Sequence, residues 1–146
     1  MQKKKIATST LLQRLFKTSS INRFFNHYGD EMQAVTFHEY INDLCAKKGI
    51  TAESVLRKTD IERTYGHQLF RGIRKPTRDR VIQLAFGFGM NYDELQKLLS
   101  IARKSPLYPK IRRDAIIIYA LKNEYSIIEL QNALHEMELP ILGEER

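Results

Sequence analysis

Apolar residues recur three and four positions apart along most of the chain, which is the spacing of one face of an α-helix. Between residues 36 and 102 this pattern predicts five helices, separated by short polar or glycine-containing breaks. Polar residues mark two of the starts, because Thr36 stands three positions before Glu39 and Asn91 three before Glu94. A polar cap followed by an acid at this distance is a capping box. The pattern therefore predicts an all-α fold.

The third of these helices has an apolar face, whose positions repeat at helical spacing between residues 61 and 70, and a polar face. Gly72 is placed to end the helix, and Pro76 prevents its continuation. Four polar side chains with donors and acceptors that suit base edges lie on the polar face, namely Arg63, Thr64, His67 and Gln68. Five cations that suit DNA phosphates follow, namely Arg71, Arg74, Lys75, Arg78 and Arg80. Taken alone, the stretch fits an ordinary solvated helix equally well.

A short helix over about residues 52–58, a turn at Thr59-Asp60 and this third helix resemble the helix-turn-helix of the phage-repressor, or Xre-like, family of DNA-binding proteins. The resemblance covers about residues 36–99. It includes the exit Gly72-Ile73-Arg74-Lys75-Pro76 and the residues Leu84-Ala85 that lead to Asp93-Glu94-Leu95. The resemblance implies a five-helix core whose third helix enters the major groove, with base-reading positions at Arg63, Thr64 and Gln68.

Three residues, Asp60, Leu56 and Gly66, depart from the pattern of this family, and a fourth, Glu62, argues against DNA binding. Asp60 stands where the turn usually has glycine, and aspartate tolerates the left-handed conformation better than most residues. Leu56 and Gly66 stand where the family has alanine and a branched apolar residue, so we expect the large residue to face the small one. Glu62, at the start of the third helix, favours the helix dipole but repels phosphate.

Residues 1–29 form a basic arm in this prediction. Its apolar residues form two sets at helical spacing, Leu11, Leu12, Leu15 and Phe16, then Ile21, Phe24, Phe25 and Tyr28. Basic residues lie before and between these sets. We interpret the segment as a helical arm that packs on the domain or on a partner subunit. An arm that follows DNA phosphates and a helix that lies on an anionic membrane are the alternatives.

Residues 110–134 repeat residues 75–99 at a constant offset of 35 positions, so that Arg113-Asp114 matches Arg78-Asp79. The repeat predicts a second helical hairpin, with helices at about residues 111–124 and 127–138. The first of these helices is apolar on nearly every side and must be covered by its own domain or by a partner. The candidate dimer or partner surface consists of Ile116, Tyr119, Leu130 and Leu134.

The net charge of +7 is concentrated at one end of the chain. Residues 1–29 contain six basic residues and no acid, whereas the remainder contains 18 basic and 17 acidic residues. Cys45 is the single cysteine, so one chain cannot form a disulfide framework. The histidines lack companions at metal-ligand or triad spacing and no glycine-rich phosphate loop occurs, so we expect neither an enzyme nor a cofactor or metal. Without a membrane-spanning run or a signal-peptide pattern, a cytoplasmic protein is expected.

These features predict a basic amphipathic arm at residues 1–29, a helix-turn-helix DNA-binding domain at residues 30–104 and a C-terminal helical hairpin packed on the core at residues 105–146. The expected function is sequence-specific binding of double-stranded DNA as a bacterial or phage-type transcriptional regulator. The hairpin is expected to form a homodimer or to bind another protein, without membrane contact. The alternative is a protein-binding adaptor that keeps the helix-turn-helix architecture without reading DNA.

Overall fold

The computed structural model describes residues 6–32 and 35–144, and all regular structure in those ranges is helical. The prediction of an all-α fold is therefore confirmed. The chain divides into two compact units, residues 1–34 and residues 35–146. In chain order the elements are α1 (Thr8–Lys17), α2 (Ile21–Tyr28), a 3₁₀ turn (Gly29–Met32), α3 (Phe37–Lys48), α4 (Ala52–Arg57), α5 (Arg63–Phe70), α6 (Arg78–Phe88), α7 (Tyr92–Ile101), α8 (Arg112–Lys122) and α9 (Ile127–Glu136).

The first unit contains α1, α2 and the 3₁₀ turn. The ring of Phe24 contacts the rings of Phe25 and Tyr28. Arg14 joins the two helices, because its Nη1 donates a hydrogen bond to the Tyr28 hydroxyl at 2.8 Å. The 3₁₀ turn follows α2 directly, beginning at Gly29. The basic residues that precede residue 6 lie outside the described residues.

Helices α3 to α7 form the first part of the second unit. α3 packs against α5 and α7, and α4 packs against α5 and α6. Thr36 caps α3 by accepting a hydrogen bond from the backbone N–H of Glu39. The capping box predicted at Asn91 and Glu94 is confirmed at the start of α7. The apolar faces of these helices meet in one core, in which Ile41, Leu69, Ile82, Leu95 and Leu98 are fully buried.

Helices α8 and α9 repeat the hairpin of α6 and α7, as the 35-residue offset predicted. Gln96 of the first hairpin binds both the N–H and the C=O of Leu107, and Gln131 of the second binds Leu142 in the same way, with distances of 2.7–3.1 Å. The capping box of Asn91 and Glu94 in the first hairpin matches that of Ser126 and Glu129 in the second. Residues with positive φ also match, because Gly89 corresponds to Glu124 and Arg103 corresponds to Glu138. Each repeat therefore comprises a hairpin and the segment that follows it.

The two repeats exchange equivalent salt bridges. Arg78 of the first donates to both carboxylate oxygens of Asp114 in the second at 3.0 and 2.9 Å, and Arg113 of the second donates to Asp79 of the first at 2.8 and 2.9 Å. The same four side chains also bind backbone groups in equivalent ways. Arg78 donates to the carbonyls of Ser105 and Pro106, and Arg113 donates to those of Pro140 and Ile141. Asp114 accepts from the N–H of Tyr108, and Asp79 accepts from that of Gly143. Such reciprocal contacts are those of a two-fold interface.

The side of the second hairpin that was expected to meet a partner is largely internal. Leu130 and Leu134 are fully buried in the common core, and Ile116 is half-buried against it. These leucines are therefore core residues, because α9 packs against α6 as well as α8. Tyr119 is 58 % exposed and Ile128 is 66 % exposed. The surface that remains available on this hairpin is therefore smaller than the one predicted.

Candidate nucleic-acid interface

Helices α4 and α5 are short and are joined by a tight turn. Thr51 and Ser54 form a capping box at the start of α4. The hydroxyl of Thr59 closes the other end, because it donates to the Leu56 carbonyl at 2.7 Å and accepts from the Ile61 N–H at 3.3 Å. Local side-chain bonds thus define both ends of α4 and the direction in which α5 begins.

The two helices approach each other most closely at Gly66, which is buried. A Cβ placed on Gly66 would lie 2.5 Å from Cδ2 and 2.9 Å from Cδ1 of Leu56. These distances are far below the contact distance of two carbon atoms. The expectation that Leu56 faces Gly66 is confirmed, and the bulk of the leucine explains why α5 has a glycine at this position.

Side chains, rather than left-handed backbone, hold the turn between α4 and α5. Asp60 is not among the described non-glycine residues with positive φ, so the tolerance of aspartate for that conformation does not explain its place here. The Asp60 carboxylate instead accepts one hydrogen bond from Gln83 Nε2 on α6 and one from Gln131 Nε2 on α9, each at 2.7 Å. The turn is therefore tied to both hairpins.

Glu62 occupies the N-cap of α5. Its carboxylate accepts hydrogen bonds from the backbone N–H groups of Tyr65 at 2.8 Å and Thr64 at 2.9 Å. These two bonds hold the pKa of Glu62 below its ordinary value. An acid in this position stabilises the helix start, because it binds unpaired N–H groups and complements the helix dipole. The presence of Glu62 is thus explained by the local structure of α5.

Glu53 of α4 binds two of the predicted base-reading residues. Its carboxylate lies 2.6 Å from Nε2 of His67 and accepts from Nε of Arg63 at 3.1 and 3.3 Å. The hydrogen bond with His67 holds the pKa of Glu53 below its ordinary value, burial opposes that shift, and Arg63 adds to it. The Arg63 side chain is 75 % exposed. Its guanidinium can therefore exchange Glu53 for another acceptor without disturbing the core.

Gln68, the last of the predicted base-reading residues, is hydrogen-bonded to an arginine. Nε of Arg74 donates to Oε1 of Gln68 at 2.7 Å. The guanidinium carbons of Arg74 and Arg80 lie 4.7 and 4.8 Å from the centroid of the Tyr65 ring, within the range of a cation–π interaction. Arg80 also donates to Oε1 of Gln83 at 3.0 Å. These contacts join α5 to the loop after it and to α6.

The five cations predicted to bind phosphate fall into two groups. Arg71, Arg74 and Lys75 are exposed. Arg80 is half-buried against Tyr65 and Gln83, and Arg78 makes four hydrogen bonds to Asp114 and two backbone carbonyls. The run of positive charge in the sequence therefore contains three exposed cations, of which Arg74 also contacts Gln68 and Tyr65, and two partly buried cations with internal partners.

The C-terminal end of α5 is anchored on α3. Nδ2 of Asn42 donates to the carbonyl oxygens of Phe70 and His38, both at 2.7 Å. Gly72 follows with a φ of 74°, and a Cβ there would lie 2.6 Å from Nδ1 of His38. The prediction that Gly72 ends the helix is confirmed. Its glycine is required both by the left-handed backbone and by the imidazole beside it.

Sequence reasoning missed Glu53, Tyr65 and Gln83 as parts of this site. Glu53 is ten residues from Arg63 and 14 from His67 along the chain, so no helical spacing connects them. Tyr65 carries the apolar signal of a core position, although its ring also holds two arginines. The signal that could have identified Gln83 is its polarity between the apolar residues at 81–82 and 84–86. In the structure Gln83 is 1 % exposed.

Within residues 6–32 and 35–144, no cluster of histidine, cysteine, aspartate and glutamate side chains could hold a metal ion. No helix in the described part of the chain is long and apolar enough to cross a membrane. No protein-family model, curated protein or solved structure matches the chain. The geometry of α4, α5 and the loop that follows them is therefore what indicates its function.

Proposed function

We propose that the chain binds double-stranded DNA through α5 and acts as a sequence-specific transcriptional regulator of the bacterial or phage type. In this proposal α4 and α5 are a helix-turn-helix within a repressor-like core of α3 to α7. One observation carries the proposal. The exposed start of α5, with Arg63 and Thr64, is followed at its other end by the exposed cations Arg71, Arg74 and Lys75.

The side chains divide between base reading and phosphate binding. Arg63, released from Glu53, suits guanine, and Gln68 suits adenine, because each can form two hydrogen bonds with the base. Thr64 and His67 lie on the same helix and complete the reading set. Arg71, Arg74 and Lys75 hold phosphates, while the internal partners of Arg78 and Arg80 assign those two residues to the fold.

A homodimer, or a complex with another protein, would form through the exposed part of the second hairpin, where Tyr119 and Ile128 lie. A dimer with two-fold symmetry would present two copies of α5 about 34–36 Å apart and would require a near-palindromic site. Sedimentation of the intact chain at concentrations above its DNA affinity tests this part. A monomer under those conditions would limit the role of the hairpin to the core or to another protein.

The second candidate function is a protein-binding adaptor, and the acids around α5 favour it. Glu53 neutralises Arg63 and faces His67, and Glu62 places a further carboxylate at the helix start. Carboxylates near a phosphate backbone reduce affinity through like-charge repulsion. In this reading α4 and α5 would present their polar surface to a protein.

The deciding experiment is fluorescence anisotropy with two labelled duplexes, the region upstream of the protein's own gene and an unrelated sequence of equal length. Titration across a range of salt concentrations gives the affinity and the number of phosphate contacts. Lys75→Ala should weaken binding to both duplexes and reduce the slope of log K against log salt by about 0.9. Gln68→Ala should cost about 1–3 kcal/mol on the upstream duplex and little on the other.

Lys122→Ala is the matched control, because Lys122 is an exposed lysine at the end of α8, in the second hairpin. It should leave the affinity and the salt slope unchanged. Binding of the native chain that neither distinguishes the duplexes nor depends on salt would exclude a DNA regulator and favour the adaptor. Binding that is salt-dependent but indifferent to Gln68 would keep DNA as the ligand and remove α5 as the reading helix.

A further inference from the structure

The turn before α5 receives hydrogen bonds from two helices that are distant in sequence. Oδ1 of Asp60 accepts from Gln83, 23 residues later, and Oδ2 accepts from Gln131, 71 residues later. Each distance is 2.7 Å. Hydrogen bonds to an ionised carboxylate are stronger than those between neutral groups. One side chain in the turn thus connects α5 to α6 and to α9.

A second set of contacts leads from the same glutamine to the face of α5. Gln83 accepts a hydrogen bond from Arg80 at 3.0 Å, and the Arg80 guanidinium stacks on the ring of Tyr65. Arg74 stacks on the same ring and donates to Gln68. The contacts form a continuous series from α9 to a side chain that we assign to base reading.

Gln131 makes a contact with the turn that Gln96, its counterpart in the first repeat, does not make. Gln96 and Gln131 occupy equivalent positions and clamp equivalent backbone, at Leu107 and at Leu142. The amide of Gln96 makes its further hydrogen bond to the hydroxyl of Tyr92 in its own helix, at 2.9 Å. The amide of Gln131 makes its further hydrogen bond to Asp60. At this position of the repeat only the second hairpin contacts the turn, whereas the first hairpin contacts it through Gln83.

We infer that Asp60 and Gln131 are positioning residues through which the second hairpin sets the orientation of α5, and with it the sequence discrimination of the DNA-binding surface. The part that concerns sequence discrimination rests on the proposed function. A partner that displaces α9 would break the Asp60–Gln131 bond. The turn would then keep only its bond to Gln83, and the start of α5 would lose its link to α9.

The test compares Gln131→Met with Gln96→Met. Both substitutions remove a backbone clamp of the same geometry, and only the first removes a bond to Asp60. In the free protein, Gln131→Met should shift the backbone amide resonances of residues 60–68 and speed their hydrogen exchange by about tenfold or more. Gln96→Met should leave these amides unchanged. This measurement requires no DNA, so its outcome is independent of the proposed function.

The second readout is the ratio of affinities for the upstream and unrelated duplexes. Gln131→Met should reduce this ratio about tenfold while the affinity for the unrelated duplex is retained, because the exposed cations are unchanged. A purely structural role would lower both affinities together. Unchanged amides at residues 60–68 in Gln131→Met, or equal changes in Gln96→Met, would overturn the inference.

Asp60→Asn provides a second variant in case Gln131→Met does not fold. It keeps the size of the side chain and replaces one acceptor oxygen by an amide that faces another amide donor. It should perturb the same amides and the same affinity ratio. If the amides respond but the native chain binds no duplex, the positioning role stands and the DNA function fails.

Discussion

Replacement of Arg78 by methionine tests whether this arginine stabilises the fold or belongs to the proposed DNA-binding surface. In the structure its guanidinium makes two hydrogen bonds to Asp114 and two to backbone carbonyls. The Arg78 side chain is 24 % exposed and that of Asp114 is 2 % exposed. Methionine retains much of the length of the side chain but none of its donors. Asp114 would then be left buried with one hydrogen bond, from the N–H of Tyr108.

The expected loss of stability follows from the burial of Asp114. Removal of one partner from a buried ion pair costs about 3–5 kcal/mol, because the remaining charge is neither hydrated nor paired. Since the arginine is partly exposed, we expect a loss near the lower end, about 3 kcal/mol. With a urea m-value of about 1.5–2 kcal/mol per molar, the unfolding midpoint should fall by about 1.5–2 M. Domains of this kind have a total stability of about 5–15 kcal/mol, so the effect is large.

Urea unfolding followed by circular dichroism measures the free energy of unfolding of the native chain, Arg78→Met, Asp114→Asn and the double variant. The two substitutions should be coupled by about 1–3 kcal/mol, because the double variant leaves no buried charge. Arg71→Met is the control, since Arg71 is exposed, and should change stability by about 0.5 kcal/mol or less. An Arg78→Met loss below about 1 kcal/mol would refute the buried-pair reasoning. A reduced salt slope of DNA binding in a stable Arg78→Met protein would restore Arg78 to the phosphate ligands.

Three further predictions concern the contacts of α4, α5 and α6. Gly66→Ala should lower the free energy of unfolding by about 1–2 kcal/mol despite its gain in helix propensity, because the new Cβ would meet Leu56. In urea unfolding, the double variant Gly66→Ala with Leu56→Ala should cost about 1–3 kcal/mol less than the sum of the two single variants. Burial alone would raise the pKa of Asp79, but hydrogen bonds from Arg113 and the Gly143 N–H hold the pKa in the folded protein below the ordinary value of 3.8. The stability that ionised Asp79 contributes is therefore present above pH 3.8 and is lost as the pH falls through the lower pKa of the folded protein. The difference in unfolding free energy between the native chain and Asp79→Asn should shrink below about pH 4, and a pH-independent difference would contradict the assignment. Glu53→Gln should tighten DNA binding about two- to tenfold by releasing Arg63, as measured by anisotropy, whereas weaker binding would indicate that Glu53 orients Arg63 for its ligand.

The sequence alone determined the helical elements and the repeated hairpin. Apolar spacing and polar caps act within one or two turns, so the caps at Thr36 and Asn91 and the end of α5 at Gly72 could be read directly. The 35-residue offset identified α8 and α9 for the same reason, since both hairpins obey the same local rules. The facing of Leu56 and Gly66 followed from complementary size at positions that the family resemblance had placed together.

The distribution of Arg78 and its neighbours could not be obtained in this way. A run of five cations has the same sequence signal whether its members face solvent or a buried carboxylate. The Arg-Asp pair recurs in both repeats, but only the packing of one hairpin against the other pairs Arg78 with Asp114 and Arg113 with Asp79. The burial of Leu130 and Leu134 was missed for a related reason, because the apolar face of a helix does not specify which neighbour covers it.

Only the tertiary structure decided the hydrogen-bond partners of Asp60 and which polar side chains of α5 are already paired within the protein. Asp60 looked like a substitute for glycine in a tight turn, since sequence shows only its local conformational tolerance. Its partners Gln83 and Gln131 are 23 and 71 residues away, and hydrogen bonds over such separations depend on how the helices pack. The same applies to Glu53, which reaches Arg63 and His67 from a different helix. Local patterns therefore specified the helices, and long-range packing specified which polar groups remain available for a ligand.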